Sequence, residues 1–173
     1  DPRNVLISIM NHFSKKNYSE AKEFLFDEHR ALGRKYNPDG HNQNNDMFTL
    51  ITSWKTHYNS WKNFKKNYLL IKYENLVSEP KNEFRKISNY ISKLMNLKIE
   101  DKKIDLAIKS NEFENLKRME KKDGFKEAIK NKETGETKSF FNLGPKNKWQ
   151  EKLDIEIKQS IEEKFEIEMK ELG

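Results

Sequence analysis

Asp1-Pro2-Arg3-Asn4-Val5-Leu6-Ile7-Ser8-Ile9-Met10-Asn11-His12-Phe13 is the stretch from which the rest of the chain is read. Asp1 suits a helix N-cap, and Pro2 suits the first helical position, where a missing N–H has no partner to lose. Val5, Leu6, Ile9, Met10 and Phe13 recur at helical spacing and give one apolar face. Ser8 falls near the first turns, where free N–H groups and the helix dipole favour an anion. Two readings stand for it. The plainer is a surface helix whose Ser8 bonds back to the preceding turn.

The totals bound what surrounds this helix. At 173 residues the chain has one domain's worth of length. It is polar, with 36% charged residues and a mean hydropathy of −1.06, but eleven Phe argue for a packed core rather than disorder. The net charge of +6 favours anionic ligands. Arginine occurs only as Arg3, Arg30, Arg34, Arg85 and Arg118, and the lysines are interleaved with acids along the chain. Nucleic-acid binders concentrate charge on one face, so no nucleic-acid partner is expected. With no cysteine there is no thiolate metal site, and His12, His29, His41 and His57 lack zinc spacing, so no metal is expected. No apolar run approaches a membrane span, and a cytoplasmic protein is the default expectation.

Outward from the opening helix, Tyr18 to Lys35 reads as a second helix with Ala21, Phe24, Leu25 and Leu32 inward. Asn37 to Asp46 is a loop by composition. Met47, Leu50, Ile51, Trp54, Tyr58, Trp61 and Phe64 predict the strongest helix of the chain. Tyr68 to Glu74 fits a buried strand of a parallel sheet, and Pro80 opens a helix with Phe84, Ile87, Ile91 and Leu94 inward. Ile104 to Lys109 and Phe113 to Lys122 read as short helices ending at Gly124. Lys130 to Ser139 is polar with a turn at Gly135, and Phe140 to Trp149 is an irregular loop. Asp154 caps a final amphipathic helix. One strand cannot satisfy its own backbone, so most of the expected sheet lies outside this chain.

Three separated segments could carry chemistry: the Ser8 helix start, the strand end at Tyr73-Glu74, and the loop Phe140–Trp149. No phosphate loop of the G-x-x-x-x-G-K-[ST] kind and no G-x-S-x-G elbow is present. In order and spacing the segments resemble the C-terminal half of sulfotransferases that use 3′-phosphoadenosine 5′-phosphosulfate. Ser8 matches the Ser of that family's strand-to-helix 3′-phosphate motif, whose Arg would fall immediately before Asp1. Ser53-Trp54-Lys55-Thr56-His57 is similar to its Ser-Trp-x-x-His helix. Tyr73-Glu74-Asn75-Leu76 with Pro80 resembles its Tyr-Glu-Asp/Asn-Leu strand end, where the Tyr lies near the adenine. Asn111-Glu112-Phe113 falls at its Ser/Thr-x-Phe segment, with Asn111 in place of the hydroxyl residue. Phe140, Gly144 and Trp149 match its Arg-Lys-Gly-x-x-Gly-x-Trp lid, whereas Asn142-Leu143 replaces the Arg-Lys pair and Asn147 the second Gly.

The resemblance covers residues 1–173. It implies an α/β, P-loop-like sulfotransferase fold of three layers (α/β/α), here a helix-rich C-terminal portion with most of the parallel sheet missing. It also implies sulfuryl transfer from the nucleotide, as co-substrate, to an acceptor hydroxyl or amine. Ser8, Tyr73, Asn111, Phe113, Phe140, Asn142, Leu143 and Gly144 would bind the nucleotide. No catalytic residue is expected in this chain, because the 5′-phosphosulfate loop and the catalytic His would lie upstream of Asp1. His57, in Lys55-Thr56-His57, copies the family's Lys-x-His base but sits on a different element, where a structural hydrogen bond is the plainer reading. The expected partners are therefore the nucleotide and an acceptor that the sequence does not identify, and the chain by itself is expected to be inactive. A non-catalytic nucleotide- or protein-binding module of the same fold is the alternative.

Overall fold

The computed structural model describes residues 1–32, 49–64, 68–130 and 135–173. They divide into two compact units, Asp1–Phe64 with Lys148–Gly173, and Lys65–Asn147.

The first unit is helical. Helix α1 (Pro2–His12) starts as its sequence dictates: the Asp1 carboxylate accepts from the N–H of Arg3, and Pro2 occupies the first turn. Helix α2 (Tyr18–Phe26) is capped by Asn17, which accepts from Glu20 N–H. It stops nine residues short of the expected Lys35. Asp27 is extended, and its carboxylate accepts from His29 N–H at 2.9 Å, a local turn that competes with the helix. Strand β1 (Ala31–Leu32) then pairs antiparallel with β2 (Thr49–Leu50), Ala31 opposite Leu50 and Leu32 opposite Thr49. The Asn37–Asp46 loop and Met47 lie outside the described residues.

The helix expected from Met47 to Phe64 is shorter: α3 spans Trp54–Lys62. Leu50 and Ile51 carry helical spacing but not helical backbone, because the N–H groups of Ile51 and Thr52 both donate to the carbonyl of Arg30. Ser53 marks the true start, its hydroxyl oxygen accepting from Thr56 N–H at 3.2 Å. Asp154 caps α8 (Ile155–Lys164) as expected, accepting from Ile157 N–H. The final helix is interrupted at Phe165 and resumes as α9 (Glu166–Leu172). Phe165 is completely buried, with Phe26 at 5.1 Å and Trp54 at 5.2 Å between ring centres. Leu6, Ile9, Ala21, Phe24, Leu25 and Ile161 complete this core. A Leu, Ile or Phe side chain contributes about 1.5–3 kcal/mol when fully buried.

In the second unit the largest correction concerns the sheet. Tyr68 to Lys72 is irregular, and Tyr73 opens a helix, α4 (Tyr73–Ser78), where a buried parallel strand was expected. Among the described residues there are only two two-stranded antiparallel pairs, β1–β2 and β3 (Ile129–Lys130) with β4 (Thr137–Lys138). Among the described residues no strand neighbours the 68–72 backbone, and Leu70 stays 53% exposed.

Helix α5 (Pro80–Met95) begins at Pro80 as expected. Its apolar row is only half covered: Phe84 and Ile87 are partly buried, whereas Ile91 and Leu94 are exposed. Helix α6 (Asp101–Ser110) packs on α5 through Ile104 and through exposed ion pairs, Lys81–Asp105 at 2.8 Å and Arg85–Asp101 at 3.0 Å. Such pairs contribute little. Helix α7 (Phe113–Asp123) ends at Gly124, whose φ of +75° suits glycine. The chain is thus helix-rich, as expected.

Candidate functional site

Ser8 lies on the exposed side of α1, and its hydroxyl donates to the carbonyl of Asn4 at 3.3 Å. One turn earlier, the Asn4 side-chain oxygen accepts from the backbone N–H of Trp149 at 3.0 Å. Asn4 therefore ties the Ser8 turn to the short 3-10 turn Trp149–Glu151. Arg3 reinforces the junction. Its guanidinium lies 3.9 Å over the Trp149 ring and pairs with Asp1 and Glu162, the latter on α8. A guanidinium stacked on indole and held by two carboxylates is fixed in orientation. Two of the three segments singled out in the sequence, the Ser8 helix and the Trp149 end of the loop, are brought together here. The sequence reading missed Asn4, although its place four residues before Ser8 puts both on one helix face.

Lys55 and His57 on α3 point to other tasks. The Lys55 ammonium is 3.6 Å from the buried Glu168 carboxylate, which also accepts from the Asn59 amide at 3.0 Å. Burial pushes Glu168 upward, but Asn59 and Lys55 outweigh it and hold the carboxyl below its ordinary value. His57 is exposed, and its Nε2 accepts from the Trp61 indole at 3.3 Å. The buried Ser53 hydroxyl donates to Glu28 at 2.9 Å. The hydroxyl of Thr56 bonds the same carboxylate oxygen and, with Ser53, lowers the Glu28 pKa despite partial burial.

The remaining candidates lie in the second unit. Tyr73 is the first residue of α4 and is 53% exposed; partial desolvation and the adjacent Glu74 raise its phenol pKa. Asn111 closes α6, its amide donating to the carbonyl of Ala107 at 2.9 Å. Phe113 opens α7 and meets Phe141 edge-on at 6.4 Å. Phe140 and Phe141 both pack on Phe125, at 4.7 and 5.2 Å. Asn142 donates its N–H to the carbonyl of Phe140, and Leu143 precedes a 3-10 turn, Gly144–Lys146. Gly144 has φ +52°, and a β-carbon there would come within 2.3 Å of the Phe113 ring. Phe113, Phe140, Phe141 and Gly144 therefore form one cluster, of which Tyr73 and Asn111 are not members.

A carboxylate that the sequence reading did not single out anchors this cluster. Glu120, on α7, accepts from the Ser139 hydroxyl and from the N–H groups of Phe140 and Phe141. Its signal in the sequence is a spacing of seven from Phe113, which puts both on one helix face.

Among the described residues no group of three or more His, Asp or Glu is arranged to hold a metal ion, and no helix is long and apolar enough to cross a membrane. A sequence model described as the sulfotransferase domain matches residues 1–173, the whole chain. Neither the curated proteins nor the solved structures gave a match.

Proposed function

The chain belongs to the sulfotransferase domain family, and we propose that it serves transfer of a sulfuryl group from 3′-phosphoadenosine 5′-phosphosulfate to an acceptor hydroxyl or amine. In this reading the chain supplies residues for the nucleotide's 3′-phosphate and adenine. Ser8 takes the 3′-phosphate, Tyr73 and Phe113 are assigned to the adenine, and Asn111 borders the nucleotide. Phe140, Asn142, Leu143 and Gly144 border the nucleotide in the same assignment. The nucleotide supplies the activated sulfuryl group, and transfer of that kind depends on positioning and on neutralising spread oxygen charge.

The observation that supports this best is the Asn4 junction. It fastens Ser8 and Trp149, which the family resemblance assigns to one phosphate, to the same residue. The fit is uneven. Ser8 offers an exposed hydroxyl on α1, beyond the first turn where the helix dipole acts on an anion. The loop offers no cation at Asn142-Leu143.

Calorimetry with adenosine 3′,5′-bisphosphate tests the Ser8 assignment. Ser8→Ala should weaken binding by about 1–3 kcal/mol, the cost of one charge-assisted hydrogen bond, with the circular dichroism unchanged. Equal affinity in the two proteins would remove Ser8 from the phosphate. Asn142-Leu143 also supports a second reading, a non-catalytic nucleotide- or protein-binding module. Bisphosphate binding without transfer of labelled sulfate would favour it.

A further inference from the structure

We propose that Glu120 is a specificity-determining residue: its carboxylate takes up the anion-binding donors of the segment before Gly144 and so excludes a phosphate from them. The loop's role rests on the nucleotide reading above, but the occupation of its donors does not.

The geometry is that of an anion site already filled from within. One carboxylate oxygen of Glu120 accepts from Phe140 N–H at 2.5 Å; the other accepts from Phe141 N–H at 3.0 Å and from the Ser139 hydroxyl at 2.5 Å. Successive backbone N–H groups converging on one point form a concavity suited to an anion. The next N–H, that of Asn142, is committed to the carbonyl of Phe140 at 2.9 Å. The segment therefore has none of these three N–H groups to spare.

Electrostatics reinforces the exclusion. Burial raises the Glu120 pKa, but the Ser139 hydroxyl and the two N–H groups, with Lys117 on the same helix, outweigh it and keep the carboxyl below its ordinary value. Glu120 is thus ionised at neutral pH. A phosphate dianion arriving at the same donors would meet a fixed negative charge, and neither Asn142 nor Leu143 can offset it. The Phe125, Phe140 and Phe141 rings pack together behind the segment, at 4.7–5.2 Å between centres, so the backbone is held where Glu120 reaches it. In this chain a carboxylate orders the turn that a ligand phosphate could otherwise order, and any nucleotide phosphate must be held by other donors.

Amide NMR on the full chain tests this, with inorganic phosphate and adenosine 3′,5′-bisphosphate as probes. In the unmodified protein the amides of Phe140 and Phe141 should be protected from exchange and should not shift on adding either probe. In Glu120→Gln their exchange should accelerate about tenfold relative to the α7 amides, as expected for loss of a charge-assisted bond, and either probe should now shift them. Probe-induced shifts of equal size in both proteins, or unchanged protection in the variant, would overturn the proposal. A pH titration of the unmodified chain needs no variant: the two amides should follow a carboxylate titrating below its ordinary range, and their indifference to pH would also sink the idea. The nucleotide reading fails separately, if the bisphosphate shifts no amide of α1 in the unmodified protein.

Discussion

Replacing Gly144 by Ala tests whether the Phe113 cluster is as tightly built as its distances imply. Two costs add. At φ +52° an L side chain crowds its own backbone, a penalty of about 1–2 kcal/mol. The new methyl would also sit 2.3 Å from the Phe113 ring, and forcing extra volume into a packed site costs about 1–3 kcal/mol. The ring has little room to retreat, because Phe141 stands against it and Phe113 begins α7. The sum is about 2–5 kcal/mol.

Urea unfolding followed by far-ultraviolet circular dichroism should show this as a midpoint lowered by roughly 1–2 M at unchanged slope. The two costs separate in a double-mutant cycle with Phe113→Ala. Removing the ring leaves only the backbone penalty, so the coupling should be about 1–3 kcal/mol. Additivity to within about 0.5 kcal/mol would show that the ring does not confine Gly144, and the cluster could then not be treated as preformed.

Two further outcomes follow from the first unit. Phe165→Ala should destabilise the protein by about 3–5 kcal/mol, because the ring is fully buried between Phe26 and Trp54; tryptophan fluorescence during unfolding reports it, and a loss under about 1 kcal/mol would mean that the core collapses around the gap. Glu28 has a folded pKa held below its ordinary value of 4.5 by Thr56 and Ser53, so its contribution to stability is complete above that pH and is lost as the pH falls through the lowered value. Denaturation between pH 6 and pH 3 should show that fall, and Glu28→Gln should start from lower stability and decline less steeply.

Where a local side chain decides the backbone, the sequence was readable. Asp1, Pro80, Gly124 and Asp154 each act within one turn of themselves, and each marks the helix end expected of it. Periodicity failed where another element took the backbone. Leu50 and Ile51 have helical spacing with Trp54, but the Arg30 carbonyl claims the N–H groups of Ile51 and Thr52. Tyr68 to Lys72 has strand composition and no strand beside it among the described residues, so the apolar run does not become a strand. The site follows the same rule. Phe113, Phe140 and Gly144 were legible as motif positions. Asn4 and Glu120 were not, because their roles depend on partners 145 and about 20 residues away.

The division of burial between the units bears on how a nucleotide could be held. In the first unit Leu6, Ile9, Phe24, Leu25, Ile161 and Phe165 exclude water almost completely, so the Ser8 turn stands on a rigid base, tied down by Asn4 and Arg3. In the second unit Ile104 is the one buried apolar residue among those described, and Leu94, Met95, Leu97 and Leu106 remain more than half exposed. Exposed ion pairs such as Lys81–Asp105 add little, which leaves Glu120 and the Phe113 cluster to order the 139–144 segment. Local stability follows buried apolar contact, so Tyr73, Asn111 and Phe113 lie on the more easily opened part of the chain. A ligand that needs these residues ordered must therefore supply the ordering free energy from its own contacts.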